Sequence, residues 1–442
     1  MQTVITNTGY KRTIELLSSE YEKLSSDGCF FALVRTEYDE KGNAVHDFLD
    51  VLCAAAELGY EYVNTIVYPT SDAQHVAFAD NVKYVVWLCK KHSEMKFNKD
   101  AIREKHIWKD VEWGKRAKNY SPKGKDPGNV WIPTEDDGNA HITNHIMLDD
   151  EGVIARILAM SDCQDDYVLY QDTPSSASAR LTQAEPSHHS ERAESRVIFK
   201  SSEDMSTVDN ETIKAVITSP PYWNLKDYFK KGQIGQEGYE EYLNRMEVVL
   251  EQCYKKLTSD GSLWININIR VQGGRVIPIP RDFVKICRKI GFFYKGIVIW
   301  HKSSGIPTSD KNIADHHEYV MIFSKKEDFS VKREELSAIS DYKNSKMNGA
   351  AFWNINRKAG SVGKKYIHPA IYPNELVARI IKIVTEKGET VLDPFLGSGT
   401  TLIAAEQNGR TCIGYEYNEG FQDLITSRLL TDLGEAKIPF EF

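Results

Sequence analysis

Two short stretches of this chain carry groups suited to chemistry on a flat ring bearing an amine. The first is TSPPYW, Thr218–Trp223. Its two prolines fix an extended backbone and remove two N–H groups, so the carbonyls there can face outward unpaired. Ser219 adds an acceptor oxygen, and Tyr222 and Trp223 add flat apolar faces. Acceptors beside an aromatic plate suit the exocyclic amino group of a base. Taken alone, the motif also reads as a Pro-rich turn around a buried Tyr. The second stretch is DPFLGSGT, Asp393–Thr400. Gly397 and Gly399 permit positive φ and close approach of a ligand to the backbone. The helix that follows offers free N–H groups to a carboxylate or a polar edge. Twenty-three residues after Asp393, Glu416 ends the next strand, where an acid can accept the ribose hydroxyls of a nucleoside ligand. No Lys follows as G-K-[ST], which argues against a P-loop.

Both stretches fall at strand ends. KAVIT and SLWINI are short apolar runs rich in β-branched residues and predict strands. PRDFVKICRKIG predicts a helix closed by its Gly, and PNELVARIIKIVTEKG a helix closing at Gly388. FFYKGIVIW, YVMIFS, ETVLDPF and TCIGYEYN predict further strands; TTLIAAEQNG and GFQDLITSRLL predict helices. Strands alternating with helices mean a mostly parallel α/β sheet, whose ligands sit at the carboxyl ends of the strands.

The chain also repeats itself. VITNTGY (Val4–Tyr10) is echoed by VITSPPY (Val216–Tyr222), and YEKLSSDG (Tyr21–Gly28) by YKKLTSDG (Tyr254–Gly261), with six of eight positions identical. CFFALV then faces SLWINI, Asp47–Tyr68 faces Asp282–Trp300, and YVVWLCKK faces YVMIFSKK. Further on, Asn144–Leu158 lies opposite Ile367–Ile381 without a gap, and the same register sets Tyr170 against Asp393. The pattern is a tandem duplication. It divides the chain into a first copy at 1–170, a Ser-, Ala- and charge-rich linker at 171–195, a second copy at 196–430 and a tail at 431–442.

Composition narrows the class. The 442 residues are 41% hydrophobic and 27% charged, which suits a soluble globular protein of two or three domains. No run of 18 apolar residues and no secretory h-region is present, so neither a membrane span nor a signal peptide is expected. The seven scattered cysteines form no C-x-x-C pair and read as reduced thiols of a cytoplasm, not as a zinc site. The net charge of −8 means that any nucleic-acid face must be local.

S-P-P-Y followed far downstream by D-P-F-x-G-S-G-T resembles the amino-group DNA methyltransferases, S-adenosylmethionine enzymes that modify cytosine N4 or adenine N6. With the catalytic motif ahead of the cofactor motif, the order matches the β-type members, over residues about 196–430. The resemblance implies a Rossmann-like α/β fold in two tandem sheets, the first degenerate. It implies that Ser219, Pro220, Pro221 and Tyr222 hold a flipped base. It further implies that Asp393, Phe395, Gly397, Ser398, Gly399, Thr400, Glu416 and His368 line the cofactor. Many relatives carry a Lys where this chain has Tyr372, so any contact made by that Lys does not carry over. An exocyclic amine is a poor nucleophile because its lone pair is delocalised into the ring. Hydrogen bonds to Ser219 Oγ and the Pro220 carbonyl favour pyramidal nitrogen, so placement and electrostatics supply the catalysis. The base must leave the duplex to be reached. No covalent nucleophile is needed; cytosine C5 chemistry would need one, and the chain has no Pro-Cys. Ser at the first motif position resembles the cytosine-N4 subgroup more than the adenine-N6 subgroup. The implied partner is double-stranded DNA, with room for a cognate restriction endonuclease, in a bacterial, archaeal or phage-encoded cytoplasmic protein.

In the first copy S-P-P has become Asn7-Thr8-Gly9 and the cofactor loop YQDTPSSA, so both motifs are lost together. That predicts a pseudo-methyltransferase, and a monomer containing an internal pseudo-dimer whose halves are free to diverge. The first copy also holds Lys90–Gly128, with 12 Lys and Arg against 6 Asp and Glu and with Trp108 and Trp113 interleaved. Lys115, Arg116, Lys118 and Lys123 are its candidate phosphate contacts; a solvated helix face is the alternative. Ser330–Lys365 lies where family members place target-reading segments. His316 and His317 have no third ligand nearby, and no metal is expected. Two other readings stay open: a nucleic-acid-binding protein without catalysis, and an RNA or protein methyltransferase.

Overall fold

A computed structural model of the chain describes residues 3–75, 79–104, 121–136, 143–161, 166–172, 194–225, 230–302, 312–342, 345–356, 361–362, 366–367, 372–434 and 438–442. His368, Lys115, Arg116 and Lys118 lie outside them, as does most of the segment read as a linker.

The second half of the chain builds a mixed sheet of nine strands among the described residues. Their order is Phe352–Asn354, Phe293–His301, His317–Ser324, Leu257–Ile267, Ile213–Thr218, Thr390–Asp393, Thr411–Tyr415, Arg196–Ile198, Phe440–Glu441. Ile213–Thr218 lies at the middle, parallel to Leu257–Ile267 and to Thr390–Asp393. Every central strand is an apolar run buried on both faces, as a sheet covered by helices on both sides requires. The covering helices include Tyr239–Lys256, Ile279–Ile290, Asn374–Val384, Thr400–Gln407 and Gln422–Leu433. Ile279–Ile290 closes at Gly291, which takes φ 118 as a left-handed cap. Asn374–Val384 stops four residues short of Gly388. Thr385 turns extended there, and its carbonyl is taken by Arg410 and Lys332. The tail does not stay separate: Phe440–Glu441 pairs with Arg196–Ile198 and completes the sheet edge. A boundary at 430 would cut the helix Gln422–Leu433.

The first half builds a five-stranded sheet in the order Glu61–His75, Ala79–Cys89, Cys29–Val34, Thr3–Asn7, Tyr167–Gln171. Its order and strand directions match Phe293–His301 through Thr390–Asp393 of the second sheet. The registers match too. Val4 opposes Phe30 as Val216 opposes Leu263, and Cys29 opposes Cys89 as Ser262 opposes Ser324. Even the irregularity is shared, between Tyr62 and Asn64 in one sheet and between Tyr294 and Gly296 in the other. One register differs: Val4 opposes Val168, whereas Val216 opposes Leu392. Continued by one rung, the ladders set Leu169, not Tyr170, in the place of Asp393. A gapless alignment of short apolar strands cannot sense such a shift, because backbone hydrogen bonds set the register. Tyr170 instead donates to Glu20 Oε1 at 3.0 Å.

The two halves meet across a reciprocal interface. Helix Phe48–Leu58 packs on its counterpart Ile279–Ile290. The hairpin of Glu37–Tyr38 and Ala44–His46 meets Phe293–His301, while the hairpin of Arg270–Gln272 and Arg275–Ile277 meets Glu61–His75. Phe48 packs against Tyr84 of its own half and Tyr319 of the other, with ring centroids 4.3 and 5.0 Å away. Tyr294 donates to Asp47 at 2.8 Å, and Arg281 pairs with Asp50 at 2.5 Å. One apolar core runs through both halves, and a second lies within the first half against Ile313.

Candidate active site

The two motifs meet because their strands are neighbours. Thr218, the last residue of its strand, donates to Asp393 Oδ1 at 2.8 Å across 175 residues of sequence. Ser219 follows at once, half-buried, and then buried Pro220. The two proline carbonyls differ. Tyr242 donates to the Pro221 carbonyl at 2.7 Å, whereas no described residue donates to that of Pro220. One acceptor is therefore used for anchorage, and the other, beside Ser219, has no donor among the described residues.

Tyr222 is held by a polar cluster that pattern reading did not single out. Its hydroxyl lies 3.0 Å from Glu318 Oε2 and 3.3 Å from the Asn266 carbonyl. Asn266 Nδ2 donates to Glu318 Oε2 at 2.8 Å and to Tyr222 Oη at 3.1 Å, with Ser219 Oγ at 3.5 Å. Lys302, 2% exposed, pairs with Glu318 Oε1 at 3.1 Å. The sequence shows only a polar Asn near the end of the apolar run SLWINI and a Lys and a Glu near the ends of two strands, not that they meet. Trp223 takes a left-handed φ of 45, a strained conformation for a bulky side chain that costs roughly 1–3 kcal/mol. Its indole N–H donates to the Glu237 carbonyl, and the Arg270 guanidinium lies 5.4 Å over its ring.

The Gly-rich loop after Asp393 is organised from within. Asp393 is fully buried, and its carboxylate accepts from Thr218, Phe395 N, Thr401 and Tyr372 at 2.6–3.1 Å. Those four donors match the acceptor capacity of a carboxylate, so Asp393 holds the loop together. Burial pushes its carboxyl up, against the hydrogen bonds that hold it down. Tyr372 thus fills its position with a hydroxyl on Asp393. Ser398 and Thr400 are buried and bound by Arg428, which donates to both side chains and to the Ser398 carbonyl at 2.8–3.0 Å. Arg428 was legible only as an Arg inside an apolar helix. Gly399 takes φ 82 as the residue before helix Thr400–Gln407. Among the described members of the set, Phe395, Gly397 and Glu416 stay partly exposed. Glu416 accepts from Gly397 N at 2.8 Å and Asn418 N at 2.7 Å. Burial outweighs these bonds and pushes its carboxyl up to about 7.

Other candidates fall elsewhere. Lys123 is exposed and pairs with Asp100 at 2.7 Å in the first half. Burial pushes His316 and His317 down to about 4. Among the described residues, no group of three or more His, Cys, Asp or Glu could hold a metal ion, and no helix is long and apolar enough to cross a membrane.

The corresponding strand ends of the first half are occupied by their own side chains. Asn7 donates to Asp150 Oδ2 at 2.9 Å, Tyr68 to Oδ1 at 3.0 Å, and Lys83 pairs with the same carboxylate at 2.7 Å. Burial pushes the Asp150 carboxyl up, but these donors outweigh it and hold it below the usual range. In the duplicated register, Lys83 stands where the second half has Glu318.

A family model for DNA methylases of the N6/N4 methyltransferase type matches residues 6–169 and 213–427. The Type II methyltransferase M.Cfr9I of Citrobacter freundii is 29% identical over 49% of this chain and 81% of its own length. M.SmaI of Serratia marcescens is 29% identical over 53% of this chain and 90% of its own. M.MthZI of Methanothermobacter thermautotrophicus is 31% identical over 53% of this chain and 76% of its own.

Proposed function

This chain belongs to the N6/N4 DNA methylase family, whose members use S-adenosylmethionine, and from that premise we propose that its second half methylates the amine of a base flipped from double-stranded DNA. The observation that supports this most is the Pro220 carbonyl beside Ser219, without a donor among the described residues and two residues from the Thr218–Asp393 bond that ties it to the Gly-rich loop. Phe395, Gly397 and Glu416 would hold the cofactor, with Glu416 accepting the ribose hydroxyls; Asp393, Ser398, Gly399 and Thr400 shape the loop beneath it. His368 remains a candidate for the same site. S-adenosylmethionine supplies an electrophilic methyl group. Pro220 O and Ser219 Oγ accept from the amine N–H groups and draw its lone pair out of the ring. Tyr222 stacks on the base, and Tyr242 keeps the Pro-Pro turn from moving as the base enters.

Cytosine N4 is the preferred target, on the strength of Ser219. The first half, residues 1–170, is a non-catalytic domain, and its basic stretch with Lys115, Arg116, Lys118 and Lys123 contacts DNA phosphates. A cognate restriction endonuclease is a further proposed partner. Base-resolved modification mapping of DNA from cells expressing the protein tests the reading. N4-methylcytosine at one sequence is expected. N6-methyladenine would overturn the base preference, and unmodified DNA together with no transfer in vitro would overturn the reaction.

A further inference from the structure

The Glu318 cluster is held in place from the other half of the molecule. Residues 312–317 lead into the strand that carries Glu318, and the first half bonds nearly all of them. Asn64 Nδ2 donates to Asn312 Oδ1 at 2.8 Å and to the Ile313 carbonyl at 3.2 Å. Asn129 N donates to the Ala314 carbonyl at 2.8 Å, and Ala314 N to the Pro127 carbonyl at 3.0 Å. Asn129 Nδ2 donates to Asp315 Oδ1 at 3.0 Å and to Asn64 Oδ1 at 2.9 Å. Asn129 Oδ1 accepts from His316 N at 2.8 Å and lies 3.1 Å from His317 Nδ1. Asn129 and His317 are 2% and 1% exposed, so water does not compete for these bonds. The next residue is Glu318, which bonds Tyr222 and Asn266, while Lys302, its ion-pair partner, donates its own N–H to the His316 carbonyl at 2.7 Å.

We propose that Asn129, seconded by Asn64, is a positioning residue for catalysis: the first half sets the placement of Glu318, and through it the tilt of Tyr222 over the base. This rests on the methyl-transfer reading for the role of Tyr222, but the mechanical coupling stands apart from it. The coupling has a physical basis. A buried amide with both donors and its oxygen engaged has one favoured orientation, and a strand entering a sheet transmits that placement to its first residues. The first half then contributes to the reaction without touching base or cofactor.

The test is Asn129→Ala, Asn64→Ala, Glu318→Gln and the double variant Asn129→Ala/Glu318→Gln in the full chain. Asn129→Ala should lower kcat about tenfold, the rate equivalent of one lost hydrogen bond, with cofactor affinity and KM for DNA unchanged. The double variant should be no slower than Glu318→Gln alone, because both act through one carboxylate. Asn64→Ala should give a smaller loss, and it carries the test if Asn129→Ala does not fold. Hydrogen exchange supplies a readout free of the reaction: Asn129→Ala should speed amide exchange at 312–318 and also at Ser219, Tyr222 and Trp223. Wild-type kcat in Asn129→Ala, multiplicative losses in the double variant, or faster exchange confined to 312–318 would each overturn the proposal. A wild type that methylates no DNA yet shows the coupled exchange would sink the methyl-transfer reading and leave the coupling standing.

Discussion

The two halves share strand order, three registers and a backbone irregularity, yet their strand ends do opposite things. In the second half Glu318, Asn266 and Lys302 grip one another and Tyr222, while the Pro220 carbonyl has no donor among the described residues and Phe395, Gly397 and Glu416 stay partly exposed. In the first, Asn7, Tyr68 and Lys83 converge on Asp150, and Asp172 accepts from Gly9 N at 3.0 Å. The first sheet also ends, among the described residues, at Tyr167–Gln171, without a strand matching the one that leads to Glu416. The two halves differ less in their cores than in whether polar groups at the strand ends are satisfied internally. Unsatisfied acceptors are expensive when buried, so they persist where a ligand completes them.

The sharpest way to break this contrast is at the base plate. Tyr222→Ala should lower turnover by roughly a thousandfold or more, since the base loses its stacking face and Glu318 its hydroxyl partner. Isothermal titration should find cofactor affinity nearly unchanged; turnover close to wild type would remove Tyr222 from the site. Next comes Asp393→Ala. Four donors, two of them fully buried, lose their acceptor, so the chain should lose ~3 kcal/mol of stability and all cofactor binding, read by denaturant melts and calorimetry. Wild-type stoichiometry should be one cofactor per chain, and a value of two would make the first half a cofactor domain after all.

A milder contrast lies in pH. Glu416 ionises near 7, and a ribose hydroxyl needs its carboxylate, so cofactor affinity should fall as pH falls through about 7. Binding should be roughly tenfold weaker at pH 6 than at pH 8, and flat with pH in Glu416→Gln. For the cofactor-free protein the sign reverses: a raised carboxyl destabilises the fold increasingly as pH climbs from the ordinary Glu range towards 7. The smallest effect belongs to the first half. Lys83→Ala should cost ~1–2 kcal/mol of stability and leave cofactor affinity alone. Because Asp150 is held below the usual range, its stabilising bonds are fully present above that range and fade as the pH falls through it. Melting temperature against pH for both proteins would show the gap closing in acid.

The comparison also separates what a sequence discloses from what it hides. The doubled strands could be read because each is a compact apolar run, and the two motifs because Pro and Gly restrict backbone so sharply. The one-residue shift between Val168 and Leu392 was hidden, since apolar neighbours look alike to pattern reading. The partners of Asp393, the clamp by Arg428 and the Glu318 cluster were hidden for another reason: each joins residues far apart in the chain, and polar residues inside apolar runs give no hint of whom they face. Helix Asn374–Val384 was overextended because the stop comes from Arg410 and Lys332 reaching the Thr385 carbonyl, not from a local breaker.

The reciprocal interface has one more consequence, which concerns dilution. A pair of separate chains meeting through Phe48–Leu58 and Ile279–Ile290 would fall apart as concentration drops, and its two members would have to be made in matched amounts. Here both faces are on one tether, and their effective concentration is set by the length of chain between them and not by how many copies a cell holds. Activity per molecule should therefore hold down to the lowest concentration assayed.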